Sequence, residues 1–205
     1  MQPQDDVSIS LSKGDIIDLS KSAPSLSKVR VCLGWDKTKD ARGEEYDLDA
    51  MAFVCKVDAD GKPRLISNGY FVYFKHMSSN DGAVVHQGDN LNGEGKSGAD
   101  KEQILVDLAR VNAEAAEISF FVNIHEAAKK AQHFGEVRNA FIRLVDEDGG
   151  REIAPRFNLT DDFAGATIVQ FGSLYRDGAG WSFKAIGAGF TRELVDVLRA
   201  YGAVI

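Results

Sequence analysis

Short apolar runs separated by turn sequences dominate this chain, and this rhythm constrains its fold more than any other feature. The turn sequences include DADGK at 58–62, SNDG at 79–82, DEDGG at 146–150 and RDGAG at 176–180. Because helical crossovers between successive runs are missing, the strands are expected to pair antiparallel, in a mostly β sandwich. The predicted strands are 7–11, 29–35, 50–57, 70–75, 103–108, 117–124, 140–145, 152–157, 166–175 and 181–187.

Two short helices complete the predicted antiparallel β-sandwich. Thr191 is a candidate N-cap for RELVDVLRAY, in which apolar residues recur at helical spacing until Gly202 stops the pattern. The second helix is predicted over EAAKKAQ at 126–132. A chain of 205 residues can bury a sizeable core, so we expect one sandwich domain over 7–205, preceded by a flexible N-terminus at 1–6.

Charge and hydropathy exclude several classes of function. The net charge of −7 disfavours a nucleic-acid-binding surface, because such surfaces need clustered Lys and Arg to replace condensed counterions. No stretch approaches the roughly 18 consecutive apolar residues of a membrane span. The start, MQPQDDVSIS, lacks the cationic and apolar segments of a secretion signal. The sequence therefore predicts a cytoplasmic protein that has no nucleic-acid partner and no transmembrane segment of its own.

Two acid-rich loops lie directly against apolar strands. The first is GWDKTKDARGEEYDLDA at 34–50, and the second is VVHQGDNLNGEGKSGADKE at 84–102. In the DLD part of the first loop, an extended backbone points Asp47 and Asp49 to one side and Leu48 into the core. Glycines in the second loop allow tight turns that present carbonyl oxygens beside its acids. Both loops are therefore expected to offer many oxygen ligands at one end of the sandwich.

Oxygen-rich loops of this kind suit a hard divalent cation. Calcium takes about 6–8 oxygen ligands from carboxylates, amides, backbone carbonyls and water. Neither loop supplies the cysteines or paired histidines that select zinc or copper, so calcium is favoured over magnesium or manganese. The alternative is that both loops are solvated turns built from residues that tolerate turns.

An ordered series of motifs then carries a family resemblance. The phrases LSKGD, LGWD, YDLDA, DGAVVHQGDNLNGEG, ISFFVNIHEA, FGEVRNAFIRLVD, FGSLYR and WSFKAIGAGF follow one another as in the TerD family, which the chain resembles from about residue 7 to 202. The resemblance implies a β-sandwich that binds calcium at two neighbouring sites in loops at one end. It also implies a role in bacterial tellurite resistance and chemical-stress response, alongside other tellurite-resistance proteins, one of them membrane-embedded. The protein would then lie at the inner membrane face through such a partner.

The same resemblance suggests which residues bind the metal. Where the family usually reads GEGDGDDE, this chain reads GEGKSGADKE, so Lys96 and Lys101 stand where carboxylates are expected. A cation near calcium is repelled unless its flexible stem carries it into solvent, so we expect one of the two sites to be weakened, reshaped or lost. The candidate ligands carried over are Asp36, Asp47, Asp49, Asp81, Asp89, Asn90, Asp100 and Glu102.

The leading hypothesis is a non-catalytic calcium-binding module whose loops become ordered on metal uptake and engage protein or membrane-bound partners. The alternative is a metal-dependent receptor or enzyme for a nucleotide or oxyanion, with Lys96, Lys101 or Arg143 as its basic groups. Calcium-dependent attachment to anionic lipid is disfavoured, because the sequence shows no basic or aromatic rim. His86 is interpreted as an ordinary strand-end residue rather than one that orients a carboxylate.

Overall fold

The computed structural model describes residues 13–23, 25–154, 156–159, 163–178 and 180–205. The predicted flexible N-terminus at 1–6 and the predicted strand at 7–11 lie outside these residues. Within the described ranges, the strands in chain order are β1 (Ile16–Asp18), β2 (Lys28–Asp36), β3 (Leu48–Val57), β4 (Pro63–Leu65), β5 (Phe71–Val72), β6 (Val84–His86), β7 (Glu102–Asp107), β8 (Glu117–Ile124), β9 (Arg138–Asp146), β10 (Phe157–Asn158), β11 (Ile168–Asp177) and β12 (Gly180–Phe190).

The strands form two antiparallel sheets, which confirms the predicted β-sandwich. Over the described residues, one sheet has seven strands, ordered β1-β12-β11-β8-β3-β4 with β5 also paired to β3. The other has five, ordered β10-β9-β2-β7-β6. The beginnings of β3 and β7 meet although they belong to different sheets, because the backbone N–H of Ala50 donates to the Glu102 side chain at 2.7 Å. This junction defines the end of the sandwich where the acidic loops gather.

A core drawn from both sheets supports these loops. Trp35 and Phe120 are fully buried, and Phe120 stacks on Phe171 with ring centroids 5.8 Å apart. Burying each large apolar side chain contributes roughly 1.5–3 kcal/mol relative to exposure. The end loops are therefore attached to a well-packed framework, and their geometry is determined by the register of the strands they connect.

Three short α-helices occur among the described residues: α1 (Leu19–Ser22), α2 (Ala127–Lys130) and α3 (Leu194–Ala200). The two predicted helices correspond to α2 and α3. After α3, the Tyr201 ring packs edge-on against Phe53 and Phe121, at centroid distances of 5.1 and 5.6 Å. This contact fixes the C-terminal segment on the seven-stranded sheet. No helix in the described part of the chain is both long and apolar enough to span a membrane.

The predicted N-cap of the last helix is wrong. Glu193 occupies the N-cap position, not Thr191, and the helix begins at Leu194. The reason is that β12 continues to Phe190, which pairs with Ile168. The chain uses the residues between Phe190 and Leu194 to leave the sheet. The pairing of Phe190 with Ile168 is a tertiary contact, and helical periodicity in the sequence does not reveal it.

Strand boundaries differ where the segments are short. The three-residue strands β1, β4 and β6 are missing from the sequence prediction because three residues carry no usable periodicity. The predicted strand at 70–75 shortens to β5, after a 3₁₀ turn at Asn68–Tyr70. Among the described residues of the predicted strand at 152–157, Glu152 forms an isolated bridge with Val145, and β10 begins at Phe157.

Candidate metal centre

Three aspartates converge at the end of the sandwich where β3 and β7 begin. Asp47, Asp49 and Asp89 each offer a carboxylate oxygen, and these oxygens all lie within 4.8 Å of one another. The extended backbone at the start of β3 puts Asp47 and Asp49 on one side, while Leu48 on the other side is fully buried. Asp89 arrives from the loop that follows β6. Two segments far apart in sequence thus deliver carboxylates to one point.

Asp49 is the most buried carboxylate of this cluster, with only 4% of its surface exposed. The Asn123 amide donates a hydrogen bond of 3.5 Å to its Oδ2, and His125 Nδ1 lies 3.6 Å from the same oxygen. Burial, and then repulsion from Asp47 and Glu102, raise the pKa of Asp49 to about 8. Its surroundings therefore do not stabilise the ionised form at neutral pH.

The ionised carboxylate of Asp47 is also poorly stabilised by its surroundings. Its Oδ1 is buried and has no hydrogen-bond partner among the described residues. Burial raises the pKa of Asp47 to about 6, His125 and Lys130 oppose that rise, and Asp89 adds to it. A buried carboxylate oxygen without a donor costs about 1–3 kcal/mol or more, so the arrangement calls for a positive charge that the neighbouring side chains do not supply in full.

Glu102 holds the two acidic segments together. Its carboxylate accepts backbone hydrogen bonds from Ala50 at 2.7 Å and from Asn90 at 3.1 Å. His86 Nε2 lies 3.4 Å from Glu102 Oε2, close enough for electrostatic attraction but outside hydrogen-bond geometry. Burial raises the pKa of Glu102, and these three contacts oppose the rise. Glu102 therefore positions Asp89 beside β3, and His86 is more than a strand-end residue because it faces this carboxylate.

The Asn90 side chain stabilises the next turn. Its Oδ1 accepts the N–H of Gly93 at 2.9 Å, and its Nδ2 donates to the carbonyl of Glu94 at 3.3 Å. Asn90 thus contacts the centre through its backbone N–H, which donates to Glu102, while its amide shapes the loop.

Asp100 lies in the second acidic loop but is paired elsewhere. Arg143 donates to both its oxygens, at 2.8 and 2.7 Å, and donates a third hydrogen bond of 2.8 Å to Glu152. Burial alone would raise the pKa of Asp100, yet the paired guanidinium lowers it. The structure does not bring Asp100 into the three-aspartate cluster. The negative charge of Asp100 is balanced by Arg143.

Asp36 is also separate from the cluster. Its carboxylate accepts hydrogen bonds from Asn139 at 2.6 Å, Ser97 at 2.8 Å and the backbone of Gly98 at 3.3 Å. Burial would raise the pKa of Asp36, but these donors, together with the charge of Lys101, lower it. The loop therefore closes over Asp36 through its own hydrogen bonds.

The two lysines that depart from the family pattern lie in this closed loop. Lys101 Nζ donates to the carbonyl of Lys96 at 3.0 Å, which folds its stem back along the loop. Lys101 therefore lies within electrostatic range of Asp36 instead of extending into solvent. The expectation that one of two ion sites is weakened stays a prediction. Its physical basis is that the charge of Lys101 acts on Asp36 and would repel a cation bound there.

Asp81 lies at the opposite end of the sandwich. It accepts hydrogen bonds from Ser79 Oγ at 2.6 Å and from the backbone of Asn112 at 2.8 Å, within the turn that precedes β6. The β6 and β7 register pairs Val84 with Val106, so this turn adjoins the last residues of β7, whereas Glu102 begins that strand. The side chain stabilises a turn and does not reach the other acids.

Sequence reasoning missed two basic residues beside the cluster, His125 and Lys130. The backbone N–H of His125 donates to the carbonyl of Asp47 at 2.8 Å, because the preceding residue Ile124 pairs with Leu48. Only the pairing of β3 with β8 reveals this proximity, since residues paired across these strands, such as Asp49 and Asn123, are 74 positions apart in sequence.

Comparison with known proteins gives the family. The family model described as the TerD domain matches residues 7–201. The chain is 43% identical over 196 residues to the tellurium resistance protein TerD of Serratia marcescens, covering 96% of this chain and 98% of that protein. It is 41% identical over 196 residues to general stress protein 16U of Bacillus subtilis (strain 168), with 96% and 98% covered.

Structural comparison agrees with the sequence matches. A crystal structure of a homologue of the telluride resistance protein TerD from Streptomyces coelicolor A3(2) superposes with a TM-score of 0.68 at 25% identity, covering 88% of this chain and 100% of that one. The two-sheet architecture and the match along nearly the whole sequence lead to one conclusion. This chain belongs to the TerD domain family of tellurium-resistance and stress-response proteins.

Proposed function

We propose that this chain is a calcium-binding module of a bacterial tellurite-resistance or chemical-stress-response system. It acts by binding rather than by catalysis: metal uptake orders its acidic loops, which then engage a protein or membrane-bound partner. Support comes from family membership, since relatives are named for tellurium resistance and general stress. The proposed location is the cytoplasm, with attachment to the inner membrane face through a partner.

The observation that carries the proposal is the convergence of three carboxylates, two of which, Asp47 and Asp49, have surroundings that disfavour their ionised forms. The donor set of this cluster consists of carboxylate oxygens, which fits a hard cation such as calcium. Asp47, Asp49 and Asp89 would hold the ion, and Glu102 would keep their two segments together. A bound divalent cation removes the repulsion that the apo cluster suffers, so metal binding and loop order are coupled.

The structure favours one ion at this cluster over two. Asp36 and Asp100 already accept hydrogen bonds from other side chains, which a second ion would have to displace. The receptor or enzyme alternative is not favoured by any observation, and two of the three basic groups named for it are engaged. Arg143 is paired with two carboxylates, and Lys101 donates to a backbone carbonyl.

Calorimetric titration with calcium, combined with thermal melting in calcium and in chelator, tests the proposal. At a free calcium concentration one hundred times the dissociation constant, one site stabilises the fold by about 2.7 kcal/mol. For a domain of this size that corresponds to a melting-temperature increase of about 5–10 °C.

A pair of matched variants makes the test specific. Asp49→Asn keeps the shape of the side chain but removes its charge, so heat release and stabilisation by calcium should be lost. Asp60→Asn removes an equivalent charge from an exposed turn outside the cluster and should behave as the unmodified chain does. Absence of heat together with an unchanged melting temperature in the unmodified protein would reject the proposal.

A further inference from the structure

Two exposed aliphatic side chains border the acidic cluster. Leu91, two residues after Asp89, is 65% exposed, and Met77 is 38% exposed. Met77 is fixed next to the cluster because its carbonyl accepts the N–H of His86 at 2.8 Å, and His86 faces Glu102. Covering these two side chains on binding would contribute hydrophobic free energy, at about 25 cal/mol per Å² of apolar surface buried.

Cationic and aromatic groups border the same cluster on another side. The tight turn between Tyr73 and His76 presents Phe74, whose ring packs edge-on against His125 at 6.1 Å. Lys75 Nζ lies over that ring, 5.2 Å from its centroid. His125 in turn lies beside Asp49, so the turn is directly attached to the cluster.

Lys130 adds a second free positive charge. It is the last residue of α2, five residues after His125, whose backbone N–H donates to the carbonyl of Asp47 at 2.8 Å. Among the described residues, neither Lys75 nor Lys130 lies within salt-bridge distance of a carboxylate, in contrast to Lys129, which pairs with Glu126 at 3.1 Å. Both ammonium groups are therefore available to an external anion.

We propose that this rim, made of Phe74, Lys75, Met77, Leu91, His125 and Lys130, docks the metal-loaded module onto an anionic phospholipid surface. The inference rests on the metal centre proposed above and names the partner of that centre. Lipid phosphate or carboxylate groups meet the bound cation and the two lysines, while Leu91 and Met77 enter the interfacial layer.

The chemistry of the rim favours a lipid surface over a protein. Stable protein interfaces bury about 800 Å² per partner around a well-packed apolar centre. Two separated aliphatic tips beside lysines do not form such a centre, but they match the combination of shallow apolar insertion and electrostatic attraction that holds proteins on anionic membranes. The sequence alone does not reveal the rim, because its residues come from three separate segments, around 74–77, 91 and 125–130, which only the fold brings together.

The metal makes this docking conditional. Without a cation, the exposed carboxylate of Asp89 and the half-buried carboxylate of Asp47 repel the headgroups at the point where the lysines attract. A divalent ion cancels that repulsion and supplies an additional positive centre. Attachment is therefore expected only when calcium and anionic lipid are both present.

Co-sedimentation of the full chain with vesicles tests the inference. The protein should pellet with vesicles of phosphatidylcholine and phosphatidylserine in calcium, and stay in the supernatant in chelator or with phosphatidylcholine alone. Leu91→Gln should weaken vesicle binding about tenfold, as expected for losing most of one inserted aliphatic side chain. Calcium binding by this variant, measured by calorimetry, should be unchanged.

Val57→Gln provides the matched control. Val57 is 52% exposed and ends β3, eight residues from Asp49, which at about 3.3 Å per residue places it at the far end of the strand. Its replacement should leave vesicle binding unaltered. Lys75→Gln should weaken binding to the anionic vesicles and make the remainder less sensitive to salt.

The outcomes separate the two proposals. Calcium binding in calorimetry without any pelleting would overturn lipid docking and leave the metal centre standing. Pelleting of Leu91→Gln equal to that of the unmodified protein would also overturn it. Absence of calcium binding would instead reject the proposed function itself.

Discussion

Replacing Asp49 by Asn should make the metal-free protein more stable at neutral pH. Asp49 is buried beside Asp47 and Glu102, and burial, followed by repulsion from these two carboxylates, raises its pKa from 3.8 to about 8. The folded state therefore retains a proton that the unfolded state releases. Because the folded pKa is raised, the stability contribution of the protonated group is fully present below about pH 4 and is lost as the pH rises through about 8.

The size of the effect follows from the same shift. Between about pH 5 and pH 7, Asp49 is protonated in the folded protein and ionised in the unfolded chain, so the free energy of unfolding falls by about 1.4 kcal/mol per pH unit. The total loss across this window is about 3 kcal/mol. The amide that replaces this carboxyl in Asp49→Asn cannot titrate, so the variant should lack this part of the pH dependence. Asp47, with a pKa of about 6, adds a smaller decline in both proteins.

Urea denaturation in chelator, repeated across this pH window, measures the effect. The free energy of unfolding of the unmodified chain should decline with rising pH more steeply than that of Asp49→Asn, and the curves should separate toward neutral pH. Asp60→Asn, in an exposed turn, should follow the unmodified chain. Parallel curves for the unmodified chain and Asp49→Asn would show that the cluster is not electrostatically strained, and the reasoning would be refuted.

Two further predictions concern the framework around the centre. Gly34→Ala would place a Cβ 2.3 Å from Phe141 Cζ and 2.9 Å from the carbonyl of Ala99, so urea unfolding should show a loss of about 1–3 kcal/mol. An unchanged midpoint would contradict this packing. Arg143→Lys removes the paired hydrogen bonds to Asp100, and because the site is a quarter exposed the expected loss is only about 1 kcal/mol. A double-mutant cycle with Asp100→Asn should show a coupling energy of that size, and additive effects would argue against the pair.

The long strands of the fold were predictable because their signal is local. The runs at 29–35 and 117–124 alternate or remain apolar long enough to indicate strands, and they are confirmed as β2 and β8. Likewise, the alternation in DLD correctly predicts Leu48 inside and Asp47 with Asp49 together on the other side. Patterns with a period of two residues carry this information within one segment.

The assembly of the candidate centre could be predicted only in part. Composition cannot distinguish Asp47, whose Oδ1 has no hydrogen-bond donor in the described part of the chain, from Asp100, which a distant arginine holds across the sheet. Nor can it show that Asp81 belongs to the other end, which depends on the register of β6 and β7. His125 enters through the pairing of β8 with β3. In each case the missing information is a contact between segments that are remote in sequence.

The most direct test of the calcium centre is diffraction from crystals grown with calcium. An anomalous peak should appear among the carboxylates of Asp47, Asp49 and Asp89, with oxygens about 2.3–2.6 Å from the ion. A well-resolved map from calcium-replete protein that shows these carboxylates hydrated and turned apart, with no ion between them, would contradict the account.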